Sequence, residues 1–140
     1  MRFVYPYTTE PDNDSLVVSF PDVPEALTQV DPGEDFDDVV HDCLIAALRG
    51  RVEDREPLPV ASPAKGRATQ ALDMLDSAKL ALYTTMQEKR MTNVALALRI
   101  GVTEAVVRRL LDLDHRSHIG QLENALKILG QQMVITVKAT

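Results

Sequence analysis

Between Met91 and Gly130 the apolar residues recur at helical spacing in short blocks, and the blocks are separated by residues that stop helices. No strand-based fold can use such a pattern. Thr92 can cap a first block that places Leu96, Ala97 and Ile100 on one face. Gly101 follows, where a tight turn can take positive φ at little cost. Thr103 can cap a second block with Val106, Val107 and Leu110 turned inward. Ala97 is small, as required where two helices cross closely. A third block carries Leu122, Ala125, Leu126 and Leu129 and is stopped by Gly130. Ahead of them, Leu75, Ala78, Leu82 and Met86 predict a helix that packs on the others.

The two capped blocks joined at Gly101 have the spacing of a helix-turn-helix, whose second helix lies in the DNA major groove. The same spacing serves in helical proteins that never touch DNA, so the motif needs its surroundings. These include the polar loop Leu111-Asp112-Leu113-Asp114-His115-Arg116-Ser117-His118, which carries an arginine. In this order the helices across residues 75–130 resemble the phage-repressor and Cro-like helix-turn-helix domain.

The first half of the chain reads differently. Phe3, Tyr5 and Tyr7 alternate with Val4, Pro6 and Thr8, a strand period in which Pro6 points to an edge or a bulge. Glu10–Asp14 reads as a turn and Leu16–Phe20 as a second strand. Pro21-Asp22-Val23-Pro24 ends that strand, and Ala26–Val30 makes a third. After Asp31-Pro32-Gly33, the residues Phe36, Val39, Val40, Cys43, Leu44, Ala47 and Leu48 give three turns of amphipathic helix. Asp37, Asp38, His41 and Asp42 should lie outside it, and the early acids favour the helix dipole. Cys43, on the apolar stripe, reads as core. Pro57, Pro59 and Pro63 exclude a helix across 57–66, and Arg67–Leu72 is a weak fourth strand. At the C-terminus Gln132–Ala139 alternates as a strand with no partner nearby, and the economical partner is the same strand of a second subunit.

The expected fold is therefore α+β: a β-β-β-α-β domain over residues 1–73, then an all-α helix-turn-helix domain over 74–140 that ends in a strand. The net charge of −6 hides a division. Residues 1–64 hold 14 Asp/Glu against 4 Lys/Arg, and residues 65–140 hold 7 against 11. The basic half suits phosphate and the acidic half repels it, which implies two different partners. No apolar run is long enough to span a membrane. The N-terminus reads as lacking a leader, and the single cysteine fits a reducing compartment.

The segment Val18-Ser19-Phe20-Pro21-Asp22-Val23-Pro24-Glu25-Ala26-Leu27-Thr28-Gln29, the helix after it, and the later helices with Asp114-His115-Arg116-Ser117 resemble the HicB antitoxins of bacterial HicA–HicB toxin–antitoxin pairs. Where many members have Pro-Gly-Cys, this chain has Pro24-Glu25-Ala26. The resemblance implies a cytoplasmic, non-enzymatic protein, nucleoid-associated when it sits on its operator, that needs no cofactor. One partner would be a HicA-like toxin, a small basic RNase that cleaves messenger RNA with a histidine and is covered by the N-terminal domain. The other would be the double-stranded operator DNA of its own operon, bound by a homodimer, with a tetramer left open.

For DNA the resemblance puts Thr92 and Asn93 near phosphates and Thr103, Glu104, Ala105, Arg108 and Arg109 on the recognition helix. Arg109, one turn beyond Ala105, can pair with guanine, and Glu104 can accept from cytosine. Arg108 and Arg116 suit the backbone. The carboxylates Asp22, Glu25, Asp37 and Asp38 are the toxin-facing set. His115 and His118 lack further ligands and do not make a metal site. Asp12, Asp14, Asp22, Glu25, Asp31, Glu34 and Asp35 raise two-metal nuclease chemistry, but most fall in turns that favour Asp for local reasons. The rival from another class is a one-component transcriptional regulator with a ligand-sensing N-terminal domain, and a short basic reading frame beside the gene tells the two apart.

Overall fold

The computed structural model describes residues 1–140, which divide into two compact units, Met1–Asp73 and Met74–Thr140. In the first unit, β1 (Val4–Asp12), β2 (Ser15–Phe20) and β3 (Val23–Val30) precede α1 (Phe36–Glu53), and β4 (Ala68–Ala71) closes it. The sheet runs in the order β3-β2-β1-β4, with every pair antiparallel. Asn13 turns the β1–β2 hairpin at φ 54°, a left-handed conformation that Asn tolerates.

Sequence periodicity starts the third strand at Ala26, but the ladder starts at Val23, which pairs with Phe20. A register shift between Ser19 and Phe20 lets Val23 and Ala26 both reach the core, which strict alternation from Ala26 does not anticipate. Pro6 is not on an outer strand, since β1 lies between β2 and β4. Its place is still a local edge: β2 pairs with β1 only from Thr8 onward, and β4 only along Val4–Tyr7. At Pro6 the strand has one ladder neighbour, so a missing N–H is tolerated.

α1 covers the face that carries Tyr5, Val18, Phe20, Ala26 and Val30, and it contributes Val40, Leu44, Ile45 and Leu48 to the core. Burying each large side chain contributes about 2 kcal/mol. Tyr7 joins three elements, with its ring centroid 5.7 Å from Phe20 and 6.0 Å from Phe36. Asp35 caps α1 by accepting from the Asp38 N–H at 3.0 Å. Two readings of α1 are corrected. Cys43 is not core: it is half-buried and lines a groove with Leu27, Ala46, Ala47 and Gly50. His41 is half-buried and not outside: its Nε2 lies 3.8 Å from Asp73 Oδ2, just past β4.

The proline-rich segment is strapped to the sheet. Tyr5 Oη donates to the Pro59 carbonyl at 2.7 Å, and Asp22 Oδ2 accepts from Ser62 N and Oγ at 2.8 and 2.9 Å. Arg67 donates to the Ala64 and Pro63 carbonyls at 3.0 and 2.9 Å, and this fixes the approach to β4.

The second unit holds α2 (Met74–Glu88), α3 (Asn93–Ile100), α4 (Glu104–Leu111) and α5 (Ile119–Ile128). Its core gathers Ala78, Leu82, Met86, Leu96, Ala97, Val107, Leu110, Leu122, Ala125, Leu126 and Leu129. Residues 131–140 form no helix or strand within the chain, and Val134, Ile135 and Val137 are 81%, 69% and 89% exposed. No helix is long and apolar enough to cross a membrane.

Candidate functional site

The geometry that matters in the helical unit is set by two caps and one glycine. Thr92 accepts from Ala95 N at 3.1 Å and starts α3. α3 stops at Gly101, left-handed at φ 75°, where the N–H groups of Gly101 and Val102 both reach the Ala97 carbonyl, at 2.9 and 3.0 Å. Thr103 then accepts from Val106 N at 3.4 Å and starts α4. α4 buries Val107 and Leu110, which turns Arg108 and Arg109 to solvent. Thr92 and Thr103 are exposed, and Asn93, Glu104 and Ala105 are half-buried at the openings of their helices. Arg116 is exposed on the loop after α4.

Glu104 and Arg108 are not independent. Arg108 Nε lies 2.9 Å from Glu104 Oε2, one helical turn away, so each partly neutralises the other. Arg109 on the same turn and Arg116 beyond it carry exposed positive charge. The loop is organised from within: Asp112 Oδ1 accepts from Asp114 N at 2.9 Å, and His115 Nδ1 lies 3.0 Å from Ser117 Oγ. His118 stands at the start of α5 without a side-chain cap bond.

One residue that sequence reasoning passed over is Lys79. It is 1% exposed, and its ammonium donates to the carbonyls of Arg109 and Leu110 and to Ser117 Oγ. Burial lowers its pKa from the ordinary lysine value. The available signal was a lysine at 79 beside the apolar stripe of Ala78, Leu82 and Met86, a position that solvated lysines usually avoid.

In the first unit the four carboxylates expected to act together are not brought together. Asp22, in the β2–β3 turn, accepts from Ser62, and Glu25 pairs with Arg51 at 2.5 and 3.0 Å. The hydrogen bond from Arg51 holds the Glu25 carboxyl below the usual range. Asp37 and Asp38 lie at the opposite end of α1, exposed in its first turn. There the β1–β2 turn meets the β3–α1 loop, since Ser15 Oγ donates to Asp31 Oδ1 at 2.6 Å. Asp12, Asp14, Asp31, Glu34, Asp35, Asp37 and Asp38 are all exposed around this end. Hydrogen bonds from Ser15 and Gln29 hold Asp31 below the ordinary aspartate value. Such an end attracts a cationic surface and repels nucleic acid.

Comparison with known proteins places this arrangement. Residues 4–81 match the family described as HicB_like antitoxin of bacterial toxin-antitoxin system. Antitoxin HicB 2 of Photorhabdus laumondii is 35% identical over 129 residues, 92% of this chain and 92% of that protein. Antitoxin HicB 1 of the same organism is 32% identical over 135 residues, 96% of this chain and 86% of its own length. Antitoxin HicB of Escherichia coli K12 is 30% identical over 135 residues, 95% of this chain and 98% of the relative. The matched strands, α1 and the start of α2 are the sheet unit and its continuation, and the longer alignments run on through the helices. The chain belongs to the HicB-like antitoxin family.

Proposed function

We propose that this antitoxin neutralises a small, basic, mRNA-cleaving RNase toxin through residues 1–73 and represses its own operon through residues 74–140, as a non-enzymatic cytoplasmic protein. The observation that carries the reading is the division of charge between the two compact units. Met1–Asp73 holds 15 Asp/Glu against 6 Lys/Arg, and Met74–Thr140 holds 6 against 9. Attraction to a basic enzyme and attraction to DNA demand opposite fields, and each unit carries one of them.

The toxin-facing surface is the acidic end around Asp37 and Asp38. Asp22 and Glu25, away from that end, hold the proline-rich strap and the last turns of α1. On the DNA side, α3 and α4 form a helix-turn-helix. Thr92 and Asn93 meet phosphates at one helix start, and Thr103, Glu104 and Ala105 enter the groove at the other. Arg109 reads a guanine, while Arg108 and Arg116 contact the backbone. Gln132–Ala139 pairs with its counterpart in a second subunit, so the operator is an inverted repeat with half-sites about 34 Å apart.

Co-expression with the adjacent reading frame tests the whole assignment: toxicity should be relieved and a complex should co-purify. On the purified chain, Asp37→Lys with Asp38→Lys should slow toxin association while leaving operator binding intact. Arg109→Ala should cost about 1–3 kcal/mol at one base position. Arg116→Ala should weaken all sequences alike and reduce the salt slope by about one. A chain that binds DNA but leaves the toxin's RNA cleavage untouched, and answers instead to a small molecule, is a one-component regulator.

A further inference from the structure

We propose that Lys79 is the positioning residue of the DNA-reading helix: from α2 it ties the last turn of α4 and the loop after it to the helical core, and so sets the angle at which Arg109 and Arg116 are presented. The inference rests on the DNA-binding reading given above and deepens it.

The last carbonyls of a helix have no partner within it and need donors from elsewhere. At the end of α4, Lys79 Nζ supplies them to Arg109 O at 2.7 Å and Leu110 O at 3.2 Å. Its third proton goes to Ser117 Oγ at 2.8 Å. Ser117 Oγ in turn lies 3.2 Å from Arg109 O, to which it donates, and 3.0 Å from His115 Nδ1. All three ammonium protons have acceptors, so the buried cation is fully hydrogen-bonded. The positive charge also stands at the negative end of the helix dipole. Asp112 and Asp76 add negative charge nearby.

The hydrogen bonds to the two carbonyls are offset by the cost of burying a charge, so stability alone does not single out an ammonium. A buried ammonium must be stripped of water; an apolar side chain of similar length avoids that cost but leaves the Leu110 carbonyl without its donor. What an apolar side chain cannot do is fix direction. Two consecutive carbonyls of α4 and a hydroxyl six residues past the helix, all bound to one nitrogen, leave little freedom for the helix to roll or for the loop to swing. Arg109 is itself one of the residues whose backbone is held, and Arg116 immediately precedes the held Ser117. Lys79 touches no DNA in this arrangement. It acts through the residues that do.

The experiment uses the full-length chain, a DNA fragment from immediately upstream of the first reading frame of its own operon, and a scrambled fragment of the same composition. Binding to each is measured for the parent, Lys79→Met and Ser117→Ala, beside toxin inhibition and thermal melting. The parent should prefer its own fragment. Lys79→Met should reduce that preference by about tenfold, comparable to the loss of one base contact. Its binding to scrambled DNA should stay within about twofold, because phosphate attraction does not need a fixed angle. Ser117→Ala should move the same way by less, and toxin inhibition should not change. Amide resonances of residues 109–117 should shift and broaden in Lys79→Met while those of α5 hold.

A folded Lys79→Met that keeps its full preference overturns the inference. Loss of both fragments in step with a lowered melting temperature overturns it too, since the lysine is then only structural. If Lys79→Met does not fold, Ser117→Ala decides, and an undiminished preference in that variant overturns it. A parent chain with no preference for its own fragment sinks the DNA-binding reading itself and the inference with it, an outcome distinct from the others.

Discussion

Glu25 and Arg51 bind side chain to side chain, and the consequences are measurable at the level of one residue. Both ends are partly exposed, so the pair contributes under about 1 kcal/mol at neutral pH. Arg51 depresses the folded-state pKa of Glu25, so the contribution is present above the ordinary carboxylate range and is lost as pH falls through the folded value. The stability gap between the parent and Arg51→Ala should therefore be widest near pH 7 and close in acid. Urea melts at a series of pH values read this directly, and a gap that grows in acid would contradict the pairing. Tyr5 has the opposite sign. Burial pushes its phenol up to about 12, above the value of 10 that the unfolded chain should have. Its contribution is complete below pH 10 and is lost as pH rises toward 12. Tyr5→Phe should cost about 1 kcal/mol at neutral pH by releasing the Pro59 carbonyl. The same variant should lose less stability than the parent between pH 10 and 12, which alkaline melts followed by tyrosine absorbance can check.

Elements depend on single residues where the backbone leaves no alternative. Gly101 takes φ 75° between α3 and α4, and a Cβ added there meets nothing within 4 Å. Gly101→Ala is thus penalised by backbone conformation alone, about 1 kcal/mol, with no steric contribution. The helical unit should melt a few degrees lower, and far-ultraviolet circular dichroism should show the parent's helix content before the transition. A much larger loss would mean that the turn is packed more tightly than its surroundings indicate. The caps at Thr92 and Thr103 were legible because a hydroxyl before an apolar-periodic run has one local use. The start of β3 was not, because the register shift at Ser19 and Phe20 is decided by pairing with another strand.

At the scale of the molecule, the proposed repression requires two copies of the helical unit to be held together on one operator. The alternation of Met133, Ile135 and Val137 with Val134, Thr136 and Lys138, in a segment whose Val134, Ile135 and Val137 are exposed, is the proposed means. Removing Gln132–Thr140 should halve the mass seen by sedimentation and abolish most operator affinity, while residues 1–73 still inhibit the toxin. A truncated chain that sediments as a dimer would assign dimerisation to another surface.

The sequence by itself determined what is local and periodic. It determined the helices from Met74 onward, the glycine turn, the hairpin and the covering helix α1. It also determined the charge division, which needs only counting. The tertiary structure decided which distant groups meet. It sent Asp22 to Ser62 and Glu25 to Arg51, half-exposed Cys43, and left Asp37 and Asp38 with the turn carboxylates at one end of the sheet. It also buried Lys79 beneath α4, where a pattern of hydrophobicity along one helix cannot reveal that three acceptors from elsewhere in the chain converge on a single ammonium. Periodicity reports which face of an element is apolar. Partners thirty or forty residues apart are brought together only by the packing of elements, and the energy that selects them does not exist until that packing forms.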